Sequence, residues 1–167
     1  MTFDFNRIIS TLSRHDVAYV LIGGAAAVAH GSTLATEDVD LAPARDRGNL
    51  DRLGQALLEL RARLRTAIEP GGVEFPCNGR FLAAMPIMLN LTTDAGDIDL
   101  VLAPAGFADG YDALAPRASE IDFGGGAIVL VAALDDIIAS KRAADRPKDR
   151  AALPYLEALA DEIARGS

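Results

Sequence analysis

Apolar residues recur along this chain with two periods, and each change of period marks a new element. Phe5, Ile8, Ile9 and Leu12 fall at helical spacing, which predicts a helix over Phe5–Arg14 with Asp4 as its N-cap. Ala18–Ile22 is a short apolar run ended by Gly23-Gly24 and reads as a buried strand. Ala25–Ala29 reads as a short helix stopped by Gly31, with His30 as a cap. Glu37–Ala42 alternates acid with aliphatic and reads as a second strand. Leu50, Leu53, Leu57, Leu60 and Leu64 form one stripe, which predicts a long helix over Asn49–Arg65.

The middle of the chain reads as strands: Arg80–Ala84, Ile87–Thr92 and Asp97–Leu102. Ala118–Phe123 and Ala127–Val131 flank Gly124-Gly125-Gly126, the pattern of a hairpin. Leu134–Ala144 returns to helical spacing, Pro147 ends that helix or starts the next, and Ala151–Arg165 is a final helix. This order fits an α+β or α/β two-layer domain around one sheet.

Composition narrows the classes. The chain has 167 residues, half of them hydrophobic, which suits one domain over 1–167 with an aliphatic core. No apolar run reaches the length of a membrane span. The first residues lack a basic-then-apolar leader, and the single Cys77 cannot close an internal disulfide, so a cytoplasmic protein is expected. A net charge of −8 argues against a broad phosphate-binding surface. Positive charge is nevertheless clustered at Arg61, Arg63 and Arg65, and again from Lys141 to Arg150.

The chemistry concentrates in acids. On a strand, residues two apart share a face, so Asp38 and Asp40 project together while Val39 and Leu41 face the core. Asp97-Ile98-Asp99-Leu100 repeats the pattern, and if the two strands pair, a third carboxylate reaches the same point. Carboxylates aimed at one point favour a hard divalent cation such as Mg²⁺, which also takes substrate phosphates. Gly23-Gly24 offers a place where backbone can approach a phosphate closely. The bland reading makes the acids solvated strand ends, and Lys141, Arg142 and Arg146 a solvated helix terminus. Two like-patterned acid pairs together with the Gly-Gly element favour the metal reading.

Ile22-Gly23-Gly24 followed by Asp38-Val39-Asp40 resembles the signature of the DNA polymerase β-type nucleotidyltransferase superfamily. The longer text from Gly23 to Ser32 and from Thr36 to Leu41 is similar to its small bacterial members, the minimal nucleotidyltransferases and AbiEii-type toxins. Leu134 to Asp149 resembles the helix and turn in which that group carries a functional Lys and, after an Arg, a functional Asp. The resemblance runs from about Val17 to Leu156 and implies an α+β nucleotidyltransferase fold, a mixed sheet with helices against one face.

The resemblance also implies roles. Gly23 and Gly24 would hold an NTP's triphosphate, with Ser32 nearby. Asp38 and Asp40 would bind Mg²⁺ or Mn²⁺. Asp99 corresponds best to the third carboxylate, with Asp97 in reserve. Lys141 would contact phosphate, Lys148 would contribute less, and Asp149 would orient that region. Leu34 departs from the pattern, since many relatives have Arg there. The implied activity moves a nucleoside monophosphate to an acceptor hydroxyl on tRNA, a protein or a small molecule. A toxin with a cognate antitoxin is one setting. The contrasting reading is a non-catalytic binding or antitoxin-like subunit. A metal-dependent nuclease ranks last, because no His or Lys lies close to the acid pair.

Overall fold

The computed structural model describes residues 2–167. Helix α1 spans Phe5–Arg14, and the Asp4 carboxylate accepts the Arg7 N–H at 3.0 Å as its N-cap. Strand β1 (Tyr19–Ile22) runs into α2 (Gly23–Ala29), then β2 (Asp38–Pro43) and α3 (Arg47–Glu59) follow. Next come β3 (Arg63–Leu64), α4 (Gly79–Ala83), β4 (Met88–Thr93) and β5 (Gly96–Val101). After the short α5 (Tyr111–Leu114) come β6 (Ser119–Asp122) and β7 (Ile128–Val131), joined through Gly124, Gly125 and Gly126, all at positive φ. Helices α6 (Leu134–Ala144) and α7 (Pro147–Arg165) close the described chain.

The strands form one mixed 7-stranded sheet in the order β3-β4-β5-β2-β1-β7-β6. Pairs β2–β5 and β1–β7 are parallel, and the other neighbours are antiparallel. The architecture is α+β. Val39, Leu41, Ile98 and Leu100 of the two central strands are fully buried and join one core with Ile8, Leu12, Leu53 and Leu57. Asn49, also fully buried, ties α3 to that sheet. Its carboxamide donates to the Ala18 and Ala44 carbonyls, each at 2.8 Å, and accepts the Ala18 N–H at 2.7 Å.

Four expectations are corrected. The helix expected over Asn49–Arg65 begins at Arg47 and stops at Glu59, because Arg61 takes a left-handed φ of 54° and turns the chain into β3. Leu50, Leu53, Leu57 and Leu60 are buried as the stripe requires, but Leu64 pairs with Leu91 on a strand. Of the clustered arginines only Arg63 lies on β3, with Arg61 in the turn before it and Arg65 just after it. Arg80–Ala84 is mostly helix rather than strand. Asn78 caps it by accepting the Phe81 N–H at 2.9 Å, and so starts α4 at Gly79. Helix α2 begins on Gly23 itself rather than at Ala25. The final helix, expected over Ala151–Arg165, begins at Pro147, one of the two roles left open for that residue, where its missing N–H costs nothing.

Candidate active site

The parallel pairing of β2 and β5 sets Asp38 beside Asp97 and Asp40 beside Asp99. Alternation does the rest, sending the aliphatic neighbours into the core and the acids to the opposite face. Carboxylate oxygens of Asp38, Asp40 and Asp99 lie within 4.8 Å of one another. Asp97 is not part of this group among the described residues, so the geometry favours Asp99 as the third acid.

The polar row continues toward the sheet edge. Asn90 on β4 pairs with Asp99, and its Nδ2 donates to Asp99 Oδ1 at 2.8 Å. Arg65, just past β3, donates its backbone N–H to the Asn90 carbonyl at 2.9 Å. Its guanidinium bridges two acids, donating to Asp99 Oδ1 at 2.8 Å and forming an ion pair with Asp97. Arg65 and Asn90 are site neighbours that the acid motifs alone do not announce.

On the other side of β2, Gly23 faces Asp40. Its φ of +65° lies in the left-handed region, and a Cβ there would collide with the Asp40 carboxylate. Thr36 donates to Asp38 Oδ1 at 3.3 Å. Ser32 Oγ accepts the Leu34 N–H at 3.2 Å, so its hydroxyl shapes the loop before β2. His30 caps α2, and its Nε2 donates to the Ala132 carbonyl at 2.7 Å.

Helices α6 and α7 supply the cations. Lys141 projects from the face of α6 that also carries the buried Ile137 and Ile138. Its Nζ lies 3.5 Å from Asp149 Oδ1 in the first turn of α7. The Asp149 side chain is fully buried. Arg146 Nε donates to Asp149 Oδ2 at 2.6 Å. Arg146 is therefore a clamp on Asp149 rather than a solvated helix end. Burial alone would raise the Asp149 carboxyl, but the Arg146 guanidinium and Lys141 outweigh it and hold the group below the usual carboxylate range. Lys148, expected to be marginal, stands in the first turn of α7 and borders the same space.

All of these groups border one cleft of about 1300 Å³: Gly23, Gly24 and Ser32, the acids Asp38, Asp40, Asp97 and Asp99, and the Lys141–Asp149 pair. Burial, then the charges of Asp38 and Asp99, push Asp40 up to about 7, against the pull of Lys148 and Lys141. Burial likewise raises Asp99, with Asn90 and Arg65 opposing it. Crowded, partly buried carboxylates of this kind carry a repulsion that a divalent cation relieves, and an all-oxygen donor set suits Mg²⁺ or Mn²⁺. The residues present thus fit such an ion.

The mixed 7-stranded sheet with its helices has the nucleotidyltransferase fold, as the sequence resemblance implied. Solved structures with that fold superimpose along nearly the whole chain. The lincomycin-bound lincosamide antibiotic adenylyltransferase LnuA is similar with a TM-score of 0.61 and 13% identity, over 95% of this chain and 99% of that one. The antibiotic-resistance factor ANT(2'')-Ia is similar in two structures. Its complex with adenylyl-2''-tobramycin gives a TM-score of 0.54 and 18% identity, over 96% of this chain and 95% of that one. Its solution structure gives 0.54 and 16%, over 94% and 80%. No family model matches the sequence, and no curated protein does. No helix among the described residues is long and apolar enough to cross a membrane.

Proposed function

We propose that this cleft transfers a nucleoside monophosphate from an NTP to an acceptor hydroxyl, releasing pyrophosphate. One observation carries the reading: the β2–β5 register gathers Asp38, Asp40 and Asp99 within 4.8 Å, in a cleft that Lys141 also borders. Asp38, Asp40 and Asp99 would hold Mg²⁺ or Mn²⁺, which supplies charge neutralisation for the triphosphate and the departing pyrophosphate. Gly23 and Gly24 border the cleft, and the missing Cβ of Gly23 lets its backbone lie against the Asp40 carboxylate. Lys141, steadied by Asp149, and Lys148 add positive charge where negative charge develops. Asp99, as the third carboxylate, would help activate the attacking acceptor hydroxyl.

The acceptor we favour is a small molecule. LnuA is a lincosamide antibiotic adenylyltransferase, and ANT(2'')-Ia is known in complex with adenylyl-2''-tobramycin, and both have this fold. The net charge of −8 also disfavours a polyanionic acceptor such as tRNA. The test is incubation with each α-labelled NTP and Mg²⁺, separately with total RNA, with cell protein and with a panel of hydroxylated small molecules. Label in the small-molecule fraction supports the reading. Label in RNA or protein would instead place the chain with a toxin that answers to a cognate antitoxin. No transfer to any fraction, with intact fold, would leave the non-catalytic binding subunit.

A further inference from the structure

Arg65 stands beside the acid cluster, and its guanidinium contacts one of the three acids. Its guanidinium faces two carboxylates at once, Asp97 and Asp99, in the forked geometry that arginine favours. The Asp99 oxygen that it contacts also accepts from Asn90, so one of the two Asp99 oxygens is committed inside the protein. The engagement is particular to this position. Arg63, two residues earlier, turns its guanidinium to the Gly71 carbonyl at 3.2 Å instead. The Asp99 side chain is only 13% exposed and that of Arg65 32%, so solvent screens the pair little.

We infer that Arg65 is a built-in counter-ion that competes with a divalent cation for Asp99, so that the cleft takes up its cation together with the triphosphate rather than before it. The inference rests on the proposed function. A doubly charged ion entering the cluster alone meets a fixed guanidinium on its third ligand, and the two cations repel at short range. A triphosphate changes the balance. It brings negative charge that offsets both cations, and phosphate oxygens are alternative partners for the guanidinium. Arg65 therefore opposes the bare ion and favours the ion–triphosphate complex.

The opposite signs give the test. Mn²⁺ binding is titrated by electron paramagnetic resonance without nucleotide, and binding of the Mn²⁺–tripolyphosphate complex is titrated by calorimetry. Wild type, Arg65→Gln and Arg65→Lys are compared, with circular dichroism confirming each fold. Arg65→Gln is expected to tighten bare Mn²⁺ binding at least tenfold and to weaken the tripolyphosphate complex. Arg65→Lys, which keeps the charge but cannot reach both acids at once, is expected to fall between wild type and Arg65→Gln in both. A purely structural role moves both affinities in the same direction, and that outcome overturns the inference. Bare Mn²⁺ binding that is unchanged or weaker in Arg65→Gln also overturns it, while leaving the metal site standing. No Mn²⁺ uptake by any of the three proteins, with or without tripolyphosphate, overturns the proposed function and the inference together.

Discussion

Lys141 Nζ lies 3.5 Å from a carboxylate oxygen of Asp149 that solvent does not reach. The pair joins two helices, and the same carboxylate accepts from Arg146. Asp149→Asn leaves Lys141 and Arg146 facing a neutral group, one of them beside the core. We expect a loss of about 2 kcal/mol in urea denaturation, below the full cost of breaking a buried pair because Arg146 is half exposed. The depressed Asp149 carboxyl also fixes a sign: its stabilisation is full above the ordinary carboxylate range and fades as pH falls through its lowered folded value. The wild-type advantage over Asp149→Asn should therefore shrink in acid.

The lysines of the cleft should both matter. A charge-assisted contact with phosphate is worth roughly 1–3 kcal/mol, so Lys141→Ala should weaken NTP use about ten- to a hundredfold. The position of Lys148 in the cleft predicts a loss of the same order for Lys148→Ala, against the smaller effect expected from sequence. Steady-state kinetics with saturating acceptor would check both. Unchanged NTP dependence in both variants would return the cluster to a solvated helix end.

Stability should depend on pH through Asp40. Its ordinary value is 3.8 and its folded value is about 7, so the folded protein holds this proton more tightly than the unfolded chain. That contribution to stability is full below about pH 4 and is lost as pH climbs past about 7. Melting temperatures in chelator from pH 4.5 to 8.5 should fall more for wild type than for Asp40→Asn. Mg²⁺ added together with tripolyphosphate should restore the wild type at high pH and not the variant.

Asp38→Ala with Asp40→Ala should abolish the divalent-ion dependence of NTP binding while the protein stays folded. Their side chains point to the cleft, whereas Val39 and Leu41 carry the packing. Calorimetry showing equal NTP binding with and without Mg²⁺ in the wild type would refute the metal reading.

Gly23→Ala should damage the site more than the fold. The substitution forces an L side chain into a left-handed φ and drives its Cβ against the Asp40 carboxylate. We expect about 1–2 kcal/mol of destabilisation and a larger relative loss of Mn²⁺ affinity, read by denaturation and by titration.

The acid strands were legible because period two is a local property: Asp38, Asp40, Asp97 and Asp99 declare their shared faces within a few residues. The residues between Leu60 and Leu64 were not, since the leucine stripe continues at helical spacing while Arg61 turns left-handed and cross-strand pairing with Leu91 and Thr92 takes over. The same misreading hid Arg65, whose partners lie 32 and 34 positions away. Asn78 is a cap in plain sight, but the apolar Phe81 and Leu82 after it read equally well as a strand. That Lys148 borders the cleft was not legible either, because its position depends on where α7 starts, and Pro147 allowed either an end or a beginning.

The parallel register of β2 and β5 also bears on how the chain folds. Antiparallel neighbours such as β4 and β5 meet across a tight turn, whereas α3, β3, α4 and β4 separate β2 from β5 in sequence, so their pairing closes a much longer loop. Until that long crossover closes, Asp38 and Asp40 lie on one piece of chain and Asp99 on another, and no fragment holds the full set. Competence to gather a divalent ion with its triphosphate is therefore expected to appear late in refolding, after most helical signal has returned.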